Sequence, residues 1–202
     1  MGWSIHKWVV IGGTFGVMSA FVVIDTETTW RDDVMSMGAV IADSRDFSVI
    51  DSKYYLIDPA YRHGGMYSDV LRMRGTPRAI ISPRHKMAAD MKLWLDKYRV
   101  TTIYAYNALF DKKHLPEFGK FQWYDIMKIA AYRQFNNKIP TAAQCCKTGR
   151  LKSNYGVESI YRMLSGDCSY MEKHNGWYDA VDELKIMELL EQPIEIYERA
   201  RI

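Results

Sequence analysis

The spacing of apolar positions changes several times along this chain, and each change marks an element. Residues 20–24 (Ala-Phe-Val-Val-Ile) form a short continuous apolar run, the pattern of a strand buried on both faces. Residues 34–42 and 47–57 are two further strand-like runs, and Asp43-Ser44-Arg45-Asp46 between them reads as a turn. Together they predict an antiparallel meander, closed by Asp58-Pro59 and followed by a polar loop rich in Arg and Gly as far as Ile81. Next, Ser82 is placed to cap a helix and Pro83 suits its first position; Met87, Met91, Trp94, Leu95 and Tyr98 then recur at helical spacing. Residues 101–106 read as a strand, and Asn107 as the cap of a helix running through Leu115, where Pro116 ends it. Residues 121–124 are a short strand, 126–135 read as helical, and a basic loop punctuated by Pro and Gly leads to a helix over 157–164. The last helix is predicted over 177–190, with Ala180, Leu184, Met187 and Leu190 as its apolar stripe. Strands alternating with helices in the second half imply parallel pairing there. The fold class is α/β, and no repeat or linker divides residues 18–202, which read as one domain.

Composition adds little to this picture until it is taken locally. The 202 residues are 48% apolar and 13% aromatic, a globular chain with a real core. A net charge of +3 and a sequence pI of about 8.6 do not mark a nucleic-acid binder. Residues 126–157, however, hold Lys128, Arg133, Lys138, Lys147, Arg150 and Lys152 and no acid. On charge alone this is an ordinary solvated stretch; the functional reading is one wall of a phosphate-binding groove. Cys145, Cys146 and Cys168 are odd in number, two of them adjacent. They form neither a disulfide framework nor a Cys-x-x-Cys zinc pattern, and as reduced thiols they point to the cytoplasm.

Between Lys7 and Asp25 the chain carries no charge, and a basic start before an apolar run resembles a signal peptide. Gly12, Gly13 and Gly16 interrupt that run, which ends inside the first strand. It falls short of the roughly 20 residues a spanning helix needs, so no membrane partner is expected. Residues 1–17 are set apart as an N-terminal extension, with Met18 an alternative natural start.

The chemistry gathers at element ends. Asp25 and Glu27 close the first strand, and strand residues two apart project from one face, with Thr26 turned away. Paired carboxylates repel, and a divalent cation removes the conflict; by itself the pair is a common polar strand ending. Asp111 falls one turn into the helix that follows a buried strand, on the rim where α/β sites collect. Alone it would be a helix-start acid favoured by the helix dipole. His174 and Asp179 are five residues apart, which on one helix sets them about 140° from each other. Asn175-Gly176 is a turn signal, so a loop His174 and a first-turn Asp179 can face one cleft. Four carboxylates and one imidazole converging in this way are equipment for two-metal phosphodiester hydrolysis, with the imidazole able to take a proton from water near neutral pH.

The three motifs run Val-Val-Ile-Asp25-Thr-Glu27-Thr-Thr, Tyr-Asn-Ala-Leu-Phe-Asp111 and His174-x4-Asp179-Ala180. With them the sequence resembles the DEDDh subclass of proofreading-type 3′–5′ exonucleases, a superfamily that includes ribonuclease T and oligoribonuclease. The resemblance implies a ribonuclease H-like fold with a five-stranded mixed sheet flanked by helices. It implies two divalent ions, Mg²⁺ or Mn²⁺, one held by Asp25, Glu27 and Asp179 and the second placed by Asp25 and Asp111, with His174 as general base. The substrates would be 3′ ends of single-stranded DNA or RNA, the products nucleoside 5′-monophosphates, and a homodimer is admitted. Thr28 matches the neighbourhood that meets the terminal nucleotide, and Trp30, Asn107 and Phe110 join it as expected substrate-binding residues. Trp30 stands where many members have Gly, and its ring can stack on a base or narrow the cleft. Tyr132, Phe135 and Tyr155 are candidate stacking platforms beside the basic stretch. Residues 58–81 form a longer insertion than a minimal member has. The rival reading is a catalytically silent nucleic-acid- or partner-binding module on the same fold, whose mark would be a lost metal ligand; all five positions are filled.

Overall fold

The first strand is buried on both sides, and its alternating residues feed two separate cores. The computed structural model describes residues 19–202; the expectations for residues 1–17 and the alternative start at Met18 lie outside them. In β1 (Ala20–Thr28), Phe21 and Val23 enter one apolar cluster, Val22 and Ile24 another. That is what a period of two imposes on a strand with helices on both faces. β2 (Val34–Asp43) is buried along its whole length and β3 (Val49–Asp58) completes the antiparallel meander. β5 (Thr102–Ala105) pairs parallel with β1, and β6 (Gln122–Asp125) parallel with β5.

One face of the sheet carries α1 (Arg84–Lys97), whose Met87, Met91, Trp94 and Leu95 pack on Val22, Ile24 and Ile103. The other carries α4 (Val157–Ser165) and α5 (Gly176–Leu189), whose Ile160, Ala180, Leu184 and Met187 pack on Phe21, Val23, Val40 and Tyr104. Odd-numbered residues of β1 therefore face α5. The carboxyl end of β1, with Asp25 and Glu27, lies under the start of that helix.

The sheet has six strands rather than five, in the order β4-β3-β2-β1-β5-β6. The extra strand, β4 (Ile80–Pro83), pairs parallel with β3 at the edge. Four residues are too few to show a period, so neighbouring backbone alone reveals it. Ser82 lies in β4 and does not cap α1, which begins at Arg84 after an extended Pro83 with no side-chain cap. Asn107 is likewise not a side-chain cap. It adopts φ 59° and its backbone N–H goes to Asp125 Oδ1 at 3.0 Å, so that α2 (Leu109–His114) starts two residues later. The helix expected over 126–135 shrinks to α3 (Met127–Ala130). Beyond it the backbone pairs with the basic loop instead, Leu151 N–H donating to Ala131 O and Arg133 N–H to Gly149 O, so tertiary partners replace the next helical turn. No helix among the described residues is long and apolar enough to cross a membrane.

One contact sets the height of α5 over the sheet. Gly38 is the register partner of Asp25. A Cβ on Gly38 would stand 2.0 Å from Gly176 O and 2.4 Å from Trp177 Cα, so only glycine lets the helix start seat there. Gly38→Ala is expected to destabilise the fold by about 1–3 kcal/mol or more, the range for overpacking, read as a lower urea midpoint. Gly156→Ala is the control, because nothing lies within 4 Å of its Cβ position; equal midpoints for the two variants would refute the account.

Candidate active site

The start of α5 is built by Asn175. Its Oδ1 accepts the Trp177 and Tyr178 N–H groups at 3.2 and 3.4 Å, and its Nδ2 donates to Val70 O at 2.7 Å and to Tyr54 Oη at 3.1 Å. The first pair is an N-cap; the second ties the helix start to β3 and to the loop after it. His174, just before the cap, has φ 51°, and the helix begins at Gly176. That break puts His174 on the loop and Asp179 in the first turn. One ligand atom from each of Glu27, His174 and Asp179 lies within 4.8 Å of the other two.

Asp111 reaches the same end of the sheet from α2 and is buried. Thr26 holds it: both the Thr26 backbone N–H (3.0 Å) and its hydroxyl (2.7 Å) donate to Asp111 Oδ1. Thr26 was expected to turn away from the site. Its side chain instead engages a site carboxylate, because α2, which follows the neighbouring strand β5, lies against the carboxyl end of β1, a contact that strand alternation does not describe.

Sequence reasoning also missed Glu183. It is 2% exposed, one turn beyond Asp179 on α5, and its Oε2 accepts the Tyr106 N–H at 3.0 Å. The signal was present: Glu183 adjoins the apolar stripe of Ala180, Leu184 and Met187, where an acid has no ordinary reason to be.

These acids perturb one another strongly. Burial, then the charges of Glu183, Asp111, Asp179 and Glu27, raises Asp25 well above the carboxylate range. Burial, then Asp179, Glu172 and Asp111, pushes Glu27 to about 8. Asp179 also rises to about 8, through burial and then Glu172 and Asp182. Asp111 rises to about 7 by burial, held down in part by the Thr26 hydrogen bonds, and burial also lifts Glu183. Asp25 Oδ2 and Asp179 Oδ1 are buried with no hydrogen-bond partner. These carboxylate oxygens, two of them without a partner, fit a hard divalent cation.

Beside the cluster lies a cleft of about 330 Å³ whose lining includes Glu27, Thr28, Trp30, Met66, Tyr67 and Phe110. Trp30 is 71% exposed and Phe110 39%, so two rings stand free at its mouth. Asn107 is not part of this lining; its exposed side chain sits at the turn before α2. Tyr132, Phe135 and Tyr155 are half-buried against the core, although Tyr155 also carries the Arg150 guanidinium 5.0 Å from its ring centre.

No family model matches the sequence, and no curated protein matches it. Solved structures share its fold. The nuclease domain of 3′hExo, a DEDDh family member bound to rAMP, is similar at a TM-score of 0.59 and 13% identity, over 92% of this chain and 95% of that one. The chain has the fold of the DEDDh exonucleases. Escherichia coli ExoI in a zinc-bound complex with single-stranded DNA gives a TM-score of 0.59 at 17% identity, covering 89% of this chain and 42% of ExoI, so the chain spans less than half of that enzyme. Exonuclease X in complex with 5′ overhanging duplex DNA gives 0.50 at 19% identity, over 88% and 99%. In this DEDDh-type fold the end of β1, the start of α2 and the start of α5 meet at one rim of the sheet, and Asp25, Glu27, Asp111 and Asp179 lie on those three segments.

Raised carboxylate pKa values tie stability to pH. Unfolded, these acids titrate near 4; folded, Glu27 and Asp179 do so near 8. The folded state therefore binds more protons between those limits, and its stability is full below about pH 4 for these groups and lost as pH rises through about 8. Thermal melts of the metal-free protein are expected to fall from pH 5 to pH 8, Mn²⁺ to restore the loss, and Asp179→Asn to flatten the slope. A melting temperature that climbs over this window without metal would contradict the electrostatic description.

Proposed function

We propose that this protein is a metal-dependent 3′–5′ exonuclease that hydrolyses the terminal phosphodiester of single-stranded nucleic acid and releases a nucleoside 5′-monophosphate. The observation that carries the reading is the meeting of Glu27, His174 and Asp179 within 4.8 Å, beside the buried, unpartnered oxygens of Asp25 and Asp179. Asp25, Glu27 and Asp179 would hold one ion, and Asp25 with Asp111 the second. Bound there, divalent ions supply the charge that offsets the clustered carboxylates and the developing charge at phosphorus.

The chain's own groups do the rest. A ring nitrogen of His174 accepts a proton from the attacking water. The bond that breaks joins phosphorus to the 3′-oxygen of the penultimate nucleotide, which leaves with a proton from solvent. Thr26 keeps Asp111 oriented through two hydrogen bonds to one oxygen. Trp30 and Phe110 offer faces on which the terminal bases stack, a mode that tolerates any sequence and suits single strands. The basic stretch from Lys128 to Lys152 follows the phosphates upstream. A filled set of acids supports an enzyme over a silent binding module on this fold. The three cysteines are free thiols, which supports a reducing compartment such as the cytoplasm.

Labelled single strands of DNA and RNA, matched duplexes and dinucleotides, incubated with Mg²⁺ or Mn²⁺, test the reading. The wild-type protein is expected to shorten single strands from the 3′ end, and EDTA to stop it. Asp25→Ala is expected to abolish mononucleotide release with an unchanged fold, and His174→Ala to lower kcat by about 10²–10⁴, the range for a general base. Trp30→Ala is expected to raise KM by about five- to a hundredfold, the equivalent of one base stack, with kcat little altered. Full activity in Asp25→Ala would overturn the site assignment.

A further inference from the structure

The 58–81 segment contains the residue that lies against His174. Tyr67 stacks on the imidazole with ring centroids 4.0 Å apart and planes 13° from parallel. The segment is bolted in place at several points. Asn175 Nδ2 donates to Val70 O, and Tyr54 Oη donates to Leu71 O at 2.8 Å. The backbone of Gly65 presses so closely on the end of β1 that a Cβ there would stand 2.4 Å from Thr28 O, and the Ser68 hydroxyl donates to Gly65 O at 2.8 Å. The body of Tyr67 packs on a small cluster of Met35, Tyr54, Leu56 and Leu71. Its ring is therefore a fixed surface, whereas His174 sits on a loop residue in a left-handed conformation, φ 51°, with no helix or strand of its own to orient it.

Tyr67 also lines the cleft that holds Thr28, Trp30 and Phe110. One ring is thus shared between the imidazole and the space beside the carboxylates. We propose that Tyr67 is a positioning residue: it holds the His174 imidazole in register with Glu27 and Asp179 and couples that register to occupation of the cleft by the terminal nucleotide. The proposal rests on the exonuclease reading and gives the 58–81 segment its task within it. An aromatic stack biases a ring toward one orientation by up to about tenfold, and proton transfer in the site scales with the fraction of imidazole correctly placed.

Four variants test this: Tyr67→Phe, Tyr67→Leu, His174→Ala and the Tyr67→Leu/His174→Ala double variant, assayed on a single-stranded oligonucleotide with Mn²⁺. Tyr67→Phe keeps the stack and is expected to retain kcat within about twofold. Tyr67→Leu is expected to lower kcat about three- to tenfold at saturating substrate, yet to leave the residual kcat of His174→Ala unchanged, because the ring acts only through the imidazole. In the metal-free protein, the His174 ring protons, assigned by their absence in His174→Ala, are expected to show an upfield ring-current shift that Tyr67→Leu removes and Tyr67→Phe keeps. A Tyr67→Leu enzyme with wild-type kcat and only a raised KM, or one that loses the same factor with and without His174, would overturn the proposal while leaving the exonuclease reading intact. A wild-type protein that shortens no strand under any of these conditions would overturn the reading beneath it.

Discussion

Acids crowded at one buried rim repel one another, and the fold must hold them together against that repulsion. Asp25, Glu27, Asp111, Asp179 and Glu183 all titrate above their ordinary range, burial being the first cause in each case. The charges that raise them are those of neighbouring acids, and a divalent cation can supply the counter-charge. The devices that keep the acids in place are short-range and mostly backbone. They are a glycine-to-glycine approach between β2 and α5, an Asn cap, a Thr that donates twice to one oxygen, and a backbone N–H given to Glu183.

These devices work because the frame behind them is stiff. β1 and β2 are buried on both faces, and the two cores they feed pack α1 on one side and α4 and α5 on the other. A strand fixed from both sides cannot tilt its end, so Asp25 and Glu27 keep their direction. The segments that carry the remaining groups are fastened by a few hydrogen bonds: Tyr106 N–H to Glu183, Asn107 N–H to Asp125, and Asn175 to Tyr54 of β3 and to Val70 of the loop after it. Rigidity in the sheet and local fastening at its rim together produce a cleft with Glu27 in its lining, the other site acids beside it and exposed rings at its mouth.

Much of this was legible in the chain. Apolar runs and their turn signals mark the meander, and the helical stripes mark α1 and α5, because burial on a regular element leaves a period in the sequence. The Asn175-Gly176 break was enough to separate His174 from the helix of Asp179. Short or irregular pieces were not legible. β4 has four residues and no period, and the 126–135 stretch has helical composition but finds better backbone partners in the basic loop. Ser82 and Asn107 are good capping residues at positions where the chain is extended or left-handed.

The amino-acid order by itself determined the apolar faces of the longer elements, the order of those elements and where Asp25, Glu27, Asp111 and Asp179 fall at their ends, since each of these follows from local spacing. Only the tertiary structure decided which groups touch. Thr26 on Asp111, Glu183 beside Asp25, Tyr67 on His174 and Gly38 under Gly176 join positions 85, 158, 107 and 138 residues apart along the chain. Such contacts depend on how the helices seat on the sheet, and no spacing within one element encodes that.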